Sequence, residues 1–410
     1  MSIDHPEGSR PLPDRPNLRH LKDQAKDLLE AGGATSITDA QFKIARLYGF
    51  ASWPKLKAHL ESREEVGRLK QAIDRNDIER VKTMMTRNPA LHRAPLGYGK
   101  DGPLTWVAEC RVPREPPSPI RLEMARWMIE NGSDVHQGGD GPLMRAALGE
   151  RIPMMDLLVS YGADVNAEWH GFFPIIFSPC ESVDPEALKW LLDRGANPNC
   201  GNAGGRGTAL DYMIGTYERS PERLGACIDM LLDAGSTTKY NAPGVLELLR
   251  NQLDRLAEQL DTDSTLLRRR FPELDCGSTG ARRMLLRGAT LLHVAAEFGN
   301  VEAARLLLDR GADINARATV DEAGIGGQTA IFHAVTQFGD RGLAMAQFLV
   351  KRGADLRLRV KLPGHYERPK EVVECTPLEY ALRFHTDSHS DKTVAFLRER
   401  GPSNESITPE

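Results

Sequence analysis

The feature that most constrains this chain is a phrase it repeats. An L-L-x-x-G-A-D pattern recurs as MIENGSDV ending at Val135, LLVSYGADVNA ending at Ala167 and LLDRGANPN ending at Asn199. It returns as LLDAGST ending at Thr237, LLLDRGADINA ending at Ala316 and LVKRGADL ending at Leu356. The glycines are Gly132, Gly162, Gly195, Gly235, Gly311 and Gly353. Self-similarity at a period of roughly 20–50 residues calls for a stacked array, because one such unit cannot bury its apolar face alone.

A second phrase stands upstream of each copy: GPLTWVA from Gly102, GPLMRAA from Gly141, FPIIFS from Phe173, TALDYM from Thr208, TLLHVAA from Thr290, TAIFHAV from Thr329 and TPLEYA from Thr376. Two phrases per period mean two helices per unit. Thr or Gly opens the unit, Pro suits the first helical position, small Ala lets helices approach, and Gly takes the left-handed conformation that ends the second helix. Between Gly235 and Gly311 about two periods pass, so a degenerate unit is expected there, with VLELLRNQLDRLAEQL and then LLRRRFPEL as its two helices. LKQAIDRNDIERVKTMMTRNPAL, from Leu69 to Leu91, reads as another.

These residues resemble the ankyrin repeat, the best copy being GATLLHVAAEFGNVEAARLLLDRGADINA from Gly288 to Ala316, where Leu291 replaces the usual proline. The resemblance implies an all-α, right-handed solenoid of roughly nine helix-turn-helix units over residues 64–401, preceded by an N-terminal helical cap. It also implies a protein-binding scaffold. Residues 1–14 are expected to be a disordered leader and 402–410 a flexible tail.

Residues 15–62 do not fit the repeat. LRHLKDQAKDLLEAG, TDAQFKIARLYGF and SWPKLKAHLES predict three short helices, with Asn17 and Ser52 at cap positions. The segment is similar to the start of a group of uncharacterised bacterial ankyrin proteins. Tyr48, Phe50 and Trp53 are read as the apolar plug that caps the first repeat, since an open solenoid end exposes core to water. The weaker alternative is a helix-turn-helix reading DNA through Gln41, Ala45 and Gly49, but Pro54 and only Lys55 and Lys57 would serve its recognition helix.

With 53 Lys and Arg against 57 Asp and Glu, the chain is no polybasic nucleic-acid binder, and no apolar run is long enough for a membrane span. The N-terminus lacks the pattern of a secretory signal, so a cytoplasmic location is expected. The six cysteines form no C-x-x-C pair and read as reduced structural thiols.

His293, Glu379 and Asp211 occupy equivalent slots, where the resemblance implies a structural tie between turns. His385, Asp387, His389 and Asp391 alternate, and in an extended strand would face one way as a metal cluster, but the segment is read as a polar loop. No metal and no cofactor are expected. Phe298, Phe338 and Phe384 are read as packing between units, whereas Trp106, Phe172, Phe173 and Tyr212 are contact candidates on the concave side.

Insertions mark the binding side of such arrays. CGNAGGRG from Cys200, RATVDEAGIGG from Arg317 and RLRVKLPGHYERPKEVVE from Arg357 fall where the ankyrin fold projects its fingers. The last gathers Arg357, Arg359, Lys361, His365, Tyr366, Arg368 and Lys370, suited to an acidic or phosphate-bearing protein partner. RVPREPPSPIR from Arg111 and GTYERSPERLG from Gly215 read as spacers. The functional expectation is a non-enzymatic interaction scaffold; the alternative is an enzyme or small-molecule sensor with a pocket between finger loops and first helices.

Overall fold

The computed structural model describes residues 10–13, 16–109, 118–149, 151–201, 207–279 and 281–400, with side chains excepted at 98 and 109. The expected tail, most of the leader, and most of the insertions from Cys200 and Arg111 lie outside the described residues. The chain falls into two compact units, Met1–Gln137 and Gly138–Glu410.

In the first unit, α1 (Leu18–Glu30), α2 (Ile37–Leu47) and α3 (Trp53–Asp74) start at Asn17, Ser36 and Ser52, whose side chains accept backbone N–H groups of the first turn. Their apolar faces close on one another through Leu21, Ala25, Ile44, Ala45, Leu56 and Leu60. Tyr48 is buried in this cluster and its hydroxyl donates to Gln24 Oε1 at 3.1 Å. The expected third short helix is instead a 22-residue helix that runs through the anticipated boundary at 62–64. SREEVGRLK holds no proline, and its pairs Arg68–Glu64 and Lys70–Asp74 stand one turn apart on a continuous helix. The pair α3 and α4 (Ile78–Arg87) is followed by α5 (Pro103–Glu109) and α6 (Pro119–Glu130).

The second unit repeats the pair: α7 (Gly141–Leu148) with α8 (Ile152–Ser160), α9 (Phe177–Ser182) with α10 (Pro185–Asp193), and α11 (Ala209–Gly215) with α12 (Pro221–Asp233). Then come α13 (Val245–Leu249) with α14 (Leu253–Thr262), α15 (Leu291–Glu297) with α16 (Val301–Asp309), α17 (Ala330–Ala334) with α18 (Leu343–Lys351), and α19 (Pro377–Ser388) with α20 (Asp391–Arg400). VLELLRNQLDRLAEQL alone supplies both helices of the degenerate pair, because Asn251 turns left-handed at φ 55° and breaks it in two. LLRRRFPEL is not the second helix; it begins in a 3-10 turn, Ser264–Leu267, and then buries Phe271.

The repeated tail has a physical job. Asn166 Nδ2 donates to Gly195 O at 3.1 Å while its Oδ1 accepts from Asn197 N at 2.8 Å. Asn199 does the same to Gly235 O and Thr237 N, and Asn315 to Gly353 O and Asp355 N. Each asparagine therefore satisfies the carbonyl and N–H that the next pair's terminal turn leaves open.

Two short antiparallel hairpins interrupt the helices: β1 (Glu168–Trp169) with β2 (Phe173–Pro174), and β3 (Val360–Pro363) with β4 (Val372–Cys375). No helix of the described residues is long and apolar enough to cross a membrane.

Candidate functional site

The insertions fold onto each other. In β3, Val360 and Leu362 point inward and Lys361 outward, as strand alternation requires. Gly326, in the loop after α16, donates its N–H to Lys361 O at 2.8 Å; its φ is 121°, and a Cβ added there would stand 2.3 Å from Thr319 O, which leaves no room for one. The segment before α15 joins them, with Thr319 N donating to Gly288 O at 2.9 Å and Tyr366 N to Ala281 O at 3.0 Å. These three segments enclose a cavity of about 390 Å³ walled by Leu285, Ile325, Leu362 and Val372, with Arg283, Arg287, Asp321, Gln328 and Glu371 among its polar groups.

Beneath lies a fully buried charge cluster. Among the described residues Arg282 is the largest side chain that is fully buried; it donates to Glu297 Oε2 at 2.6 Å, Thr336 Oγ1 at 2.5 Å, Gly277 O at 2.7 Å and Met284 O at 2.9 Å. Arg219 reaches Glu297 Oε1 at 3.1 Å and also donates to Thr216 O. His333 Nδ1 lies 2.7 Å from Glu297 Oε2. Burial alone would push the Glu297 carboxyl up, but Arg282, the His333 hydrogen bond and Arg219 outweigh it and hold it at about 2. Burial pushes His333 down despite Glu297, so the ring is neutral and donates from Nδ1, leaving Nε2 without a partner. None of these four residues stood out in the sequence. Arg219 lies in the stretch read as a spacer, and Arg282 in one with no repeat signature.

His293, Asp211 and Glu379 are structural. His293 Nδ1 accepts from Thr290 N at 3.2 Å and Nε2 faces Gln328 O at 3.0 Å, while burial pushes the ring down to about 3. Asp211 and Glu379 close reciprocal caps with Thr208 and Thr376.

The contact candidates separate. Trp106 is 7% exposed, with Nε1 donating to Asp74 Oδ1 at 2.7 Å under the Lys70 ammonium. Phe173 is 8% exposed and meets Tyr212 edge-on, and Tyr212 stacks on Phe177 at 4.3 Å and donates to Glu181. Phe172, in the β1–β2 turn, is 40% exposed, and Tyr366 is 54% exposed. Tyr212 also borders a groove of about 350 Å³ with Asp211, Lys239, Tyr240 and Asp275. Phe298 lies under Arg219, Phe338 against Tyr217, and Phe384 against Tyr380.

The basic patch is not bare charge. Arg357 lies 3.3 Å from Asp355, Arg359 2.9 Å from Glu379 and Arg368 3.1 Å from Glu371, so three of its cations are matched locally. His365 stacks on Phe384 with Nε2 3.6 Å from Asp387. Lys361 and Lys370 have no ion-pair partner among the described residues.

The HTDSHSD segment, read as a polar loop, is instead helical through Ser388, with His389 left-handed at φ 50°. Helical turning sends His385 and Asp387 apart, and among the described residues no three His, Cys, Asp or Glu side chains gather to hold a metal. The five described cysteines are free, and burial pushes Cys227, Cys276 and Cys375 up to about 12.

Residues 259–360 match the family model for ankyrin repeats, in 3 copies, so this stretch of the chain carries ankyrin repeats. Among solved structures, the human ASB11 ankyrin repeat domain is similar at 19% identity and a TM-score of 0.35, over 62% of this chain and 99% of that one. No curated protein matches the chain.

Proposed function

We propose that this chain is a non-enzymatic interaction module. In this reading all nine helix pairs are ankyrin-type units, the three N-terminal helices cap the array, and a protein partner is engaged in the cytoplasm through the fingers and the inner helices. Ankyrin repeats generally serve as protein-interaction modules. The observation that carries the reading is the interlocking of the insertions: Gly326 N to Lys361 O and Tyr366 N to Ala281 O turn long loops into one held surface. Ordering that surface beforehand lowers the entropy a partner must remove on binding. Free thiols raised by burial, and a Glu297 locked between two guanidinium groups, support a scaffold over a nucleophile or general base.

The contacts proposed are Phe172, Lys361 and Tyr366, all exposed, rather than the paired arginines. The test is capture from lysate of the source organism with tagged wild-type chain and a Phe172→Ala, Lys361→Glu, Tyr366→Ala variant, followed by quantitative mass spectrometry. A protein enriched by wild type and depleted at least about tenfold in the variant, with the melting temperature kept, is expected. Equal capture by both chains, or no enrichment by either, overturns the reading.

A further inference from the structure

The cavity of about 390 Å³ between the fingers has the size of a small-ligand site and a lining that is chemically incomplete. Its two carboxylates are already satisfied. Glu371 is held by Arg368, Arg383 and the His365 N–H, and Asp321 Oδ1 accepts from Ala323 N at 3.0 Å and Ile325 N at 2.8 Å. Its two guanidinium groups, both exposed, lack a counter-charge among the described residues. Arg283 donates to the neutral Pro369 carbonyl, and neither Arg283 nor Arg287 has an ion-pair partner among the described residues.

Gln328 supplies an independent sign. The residue is 4% exposed, its Nε2 donates to Leu285 O at 3.3 Å, and its backbone carbonyl is fixed by His293 and by Ala318 N, yet its Oε1 has no donor. A buried amide oxygen left unpaired carries an unmet desolvation cost, which an incoming N–H offsets. Beside it, Leu285 and Ile325 are half-buried and Val372 is 44% exposed, an apolar wall with no cover. The walls belong to three segments pinned together by backbone hydrogen bonds, so the backbone that carries these groups is set in place before any ligand arrives.

We propose that this cavity binds an N-acylated apolar amino acid with a free carboxylate. The carboxylate takes Arg283 and Arg287, the amide N–H takes Gln328 Oε1, and the apolar side chain lies on Leu285, Ile325 and Val372. Two sources share that chemistry: the C-terminus of a protein chain and a free N-acyl amino acid. The protein source rests on the interaction-module reading; the cavity's chemistry does not.

The experiment is calorimetric titration of the full chain with four probes: N-acetyl-L-leucine, acetyl-Ala-Ala-Ala-Leu with a free carboxylate, the same peptide as its C-terminal amide, and the same peptide with an ester in place of its last amide. The acid peptide is expected to bind, with the amide and ester forms each weaker by about tenfold or more. Arg287→Glu, an exposed change, is expected to weaken the acid peptide as much as amidation does while leaving the melting temperature unchanged. A peptide that binds tighter than N-acetyl-L-leucine identifies a protein C-terminus as the source, and equal affinities identify the free small molecule. Equal binding of acid and amide, indifference to Arg287→Glu, or no saturable binding of any probe overturns the proposal. Failure here together with variant-sensitive capture from lysate removes the cavity's ligand and keeps the interaction module.

Discussion

Glu297 places one negative charge between two buried guanidinium groups, and removing it leaves both without a counter-charge. Glu297→Gln is therefore expected to destabilise the chain by about 3–5 kcal/mol, read from urea unfolding midpoints; a change below about 1 kcal/mol contradicts the burial of the cluster. The neighbouring histidines add a pH dependence. His293 sits at about 3 when folded against an ordinary 6.5, so as pH falls from 6.5 toward 3 the unfolded chain takes up a proton the folded chain refuses. Its contribution is complete above about pH 6.5 and declines through that window, by on the order of 2–3 kcal/mol at pH 4.5. His333 shifts in the same direction, and Glu297 adds its loss lower, between 4.5 and 2. Unfolding midpoints measured from about pH 7.5 to about pH 4.5 are expected to fall, and His293→Gln to flatten that fall; a flat wild-type profile rules out buried neutral rings. The structural role of His293 was legible through the resemblance to the ankyrin repeat, which implies a tie between turns at that position. Glu297 was not, since Arg219 lies 78 residues away and nothing local marks either partner.

At the scale of elements, several elbows between paired helices pass through one left-handed residue: Asn76, Val183, Asn251, Gly299 and His389. Glycine and asparagine adopt that conformation readily, whereas other side chains meet the adjacent carbonyl. His389 ends α19 at φ 50° with an exposed side chain, so His389→Gly is expected to stabilise the chain by about 0.5–1 kcal/mol in thermal unfolding. A loss of stability would place another conformation there. The Asn251 elbow fell inside a stretch read as one helix, and His389 escaped because alternating polar residues fit a loop equally well. The helix wins through its Thr376–Glu379 cap and the apolar positions Tyr380, Ala381 and Phe384, which lie on one side and are buried. The continuity of α3 escaped the sequence for a related reason. A charged, breaker-free joint between two helical patterns looks the same whether the chain bends there or not.

In an array of stacked pairs, stability comes from each pair's neighbours, which is what the period of the repeat implies. What the period cannot carry is how non-repeating insertions pair, because Gly326 with Lys361 and Tyr366 with Ala281 obey no spacing rule. The terminal pair shows both kinds of dependence. Tyr380 packs on Phe332 and donates to Pro363 O at 3.1 Å, Glu379 receives Arg359, and Asp340 accepts from Lys392 N and Thr393 N. Deleting residues 376–410 therefore strips the support from the β3–β4 hairpin and from α17 and α18. Hydrogen exchange followed by mass spectrometry is expected to show protection lost over 330–375 and retained over α7 to α10, because nearest-neighbour coupling fades within a few units. Protection lost evenly from 141 to 375 would mean that these helices open as one cooperative block, and the stacked-pair account of their stability would fail.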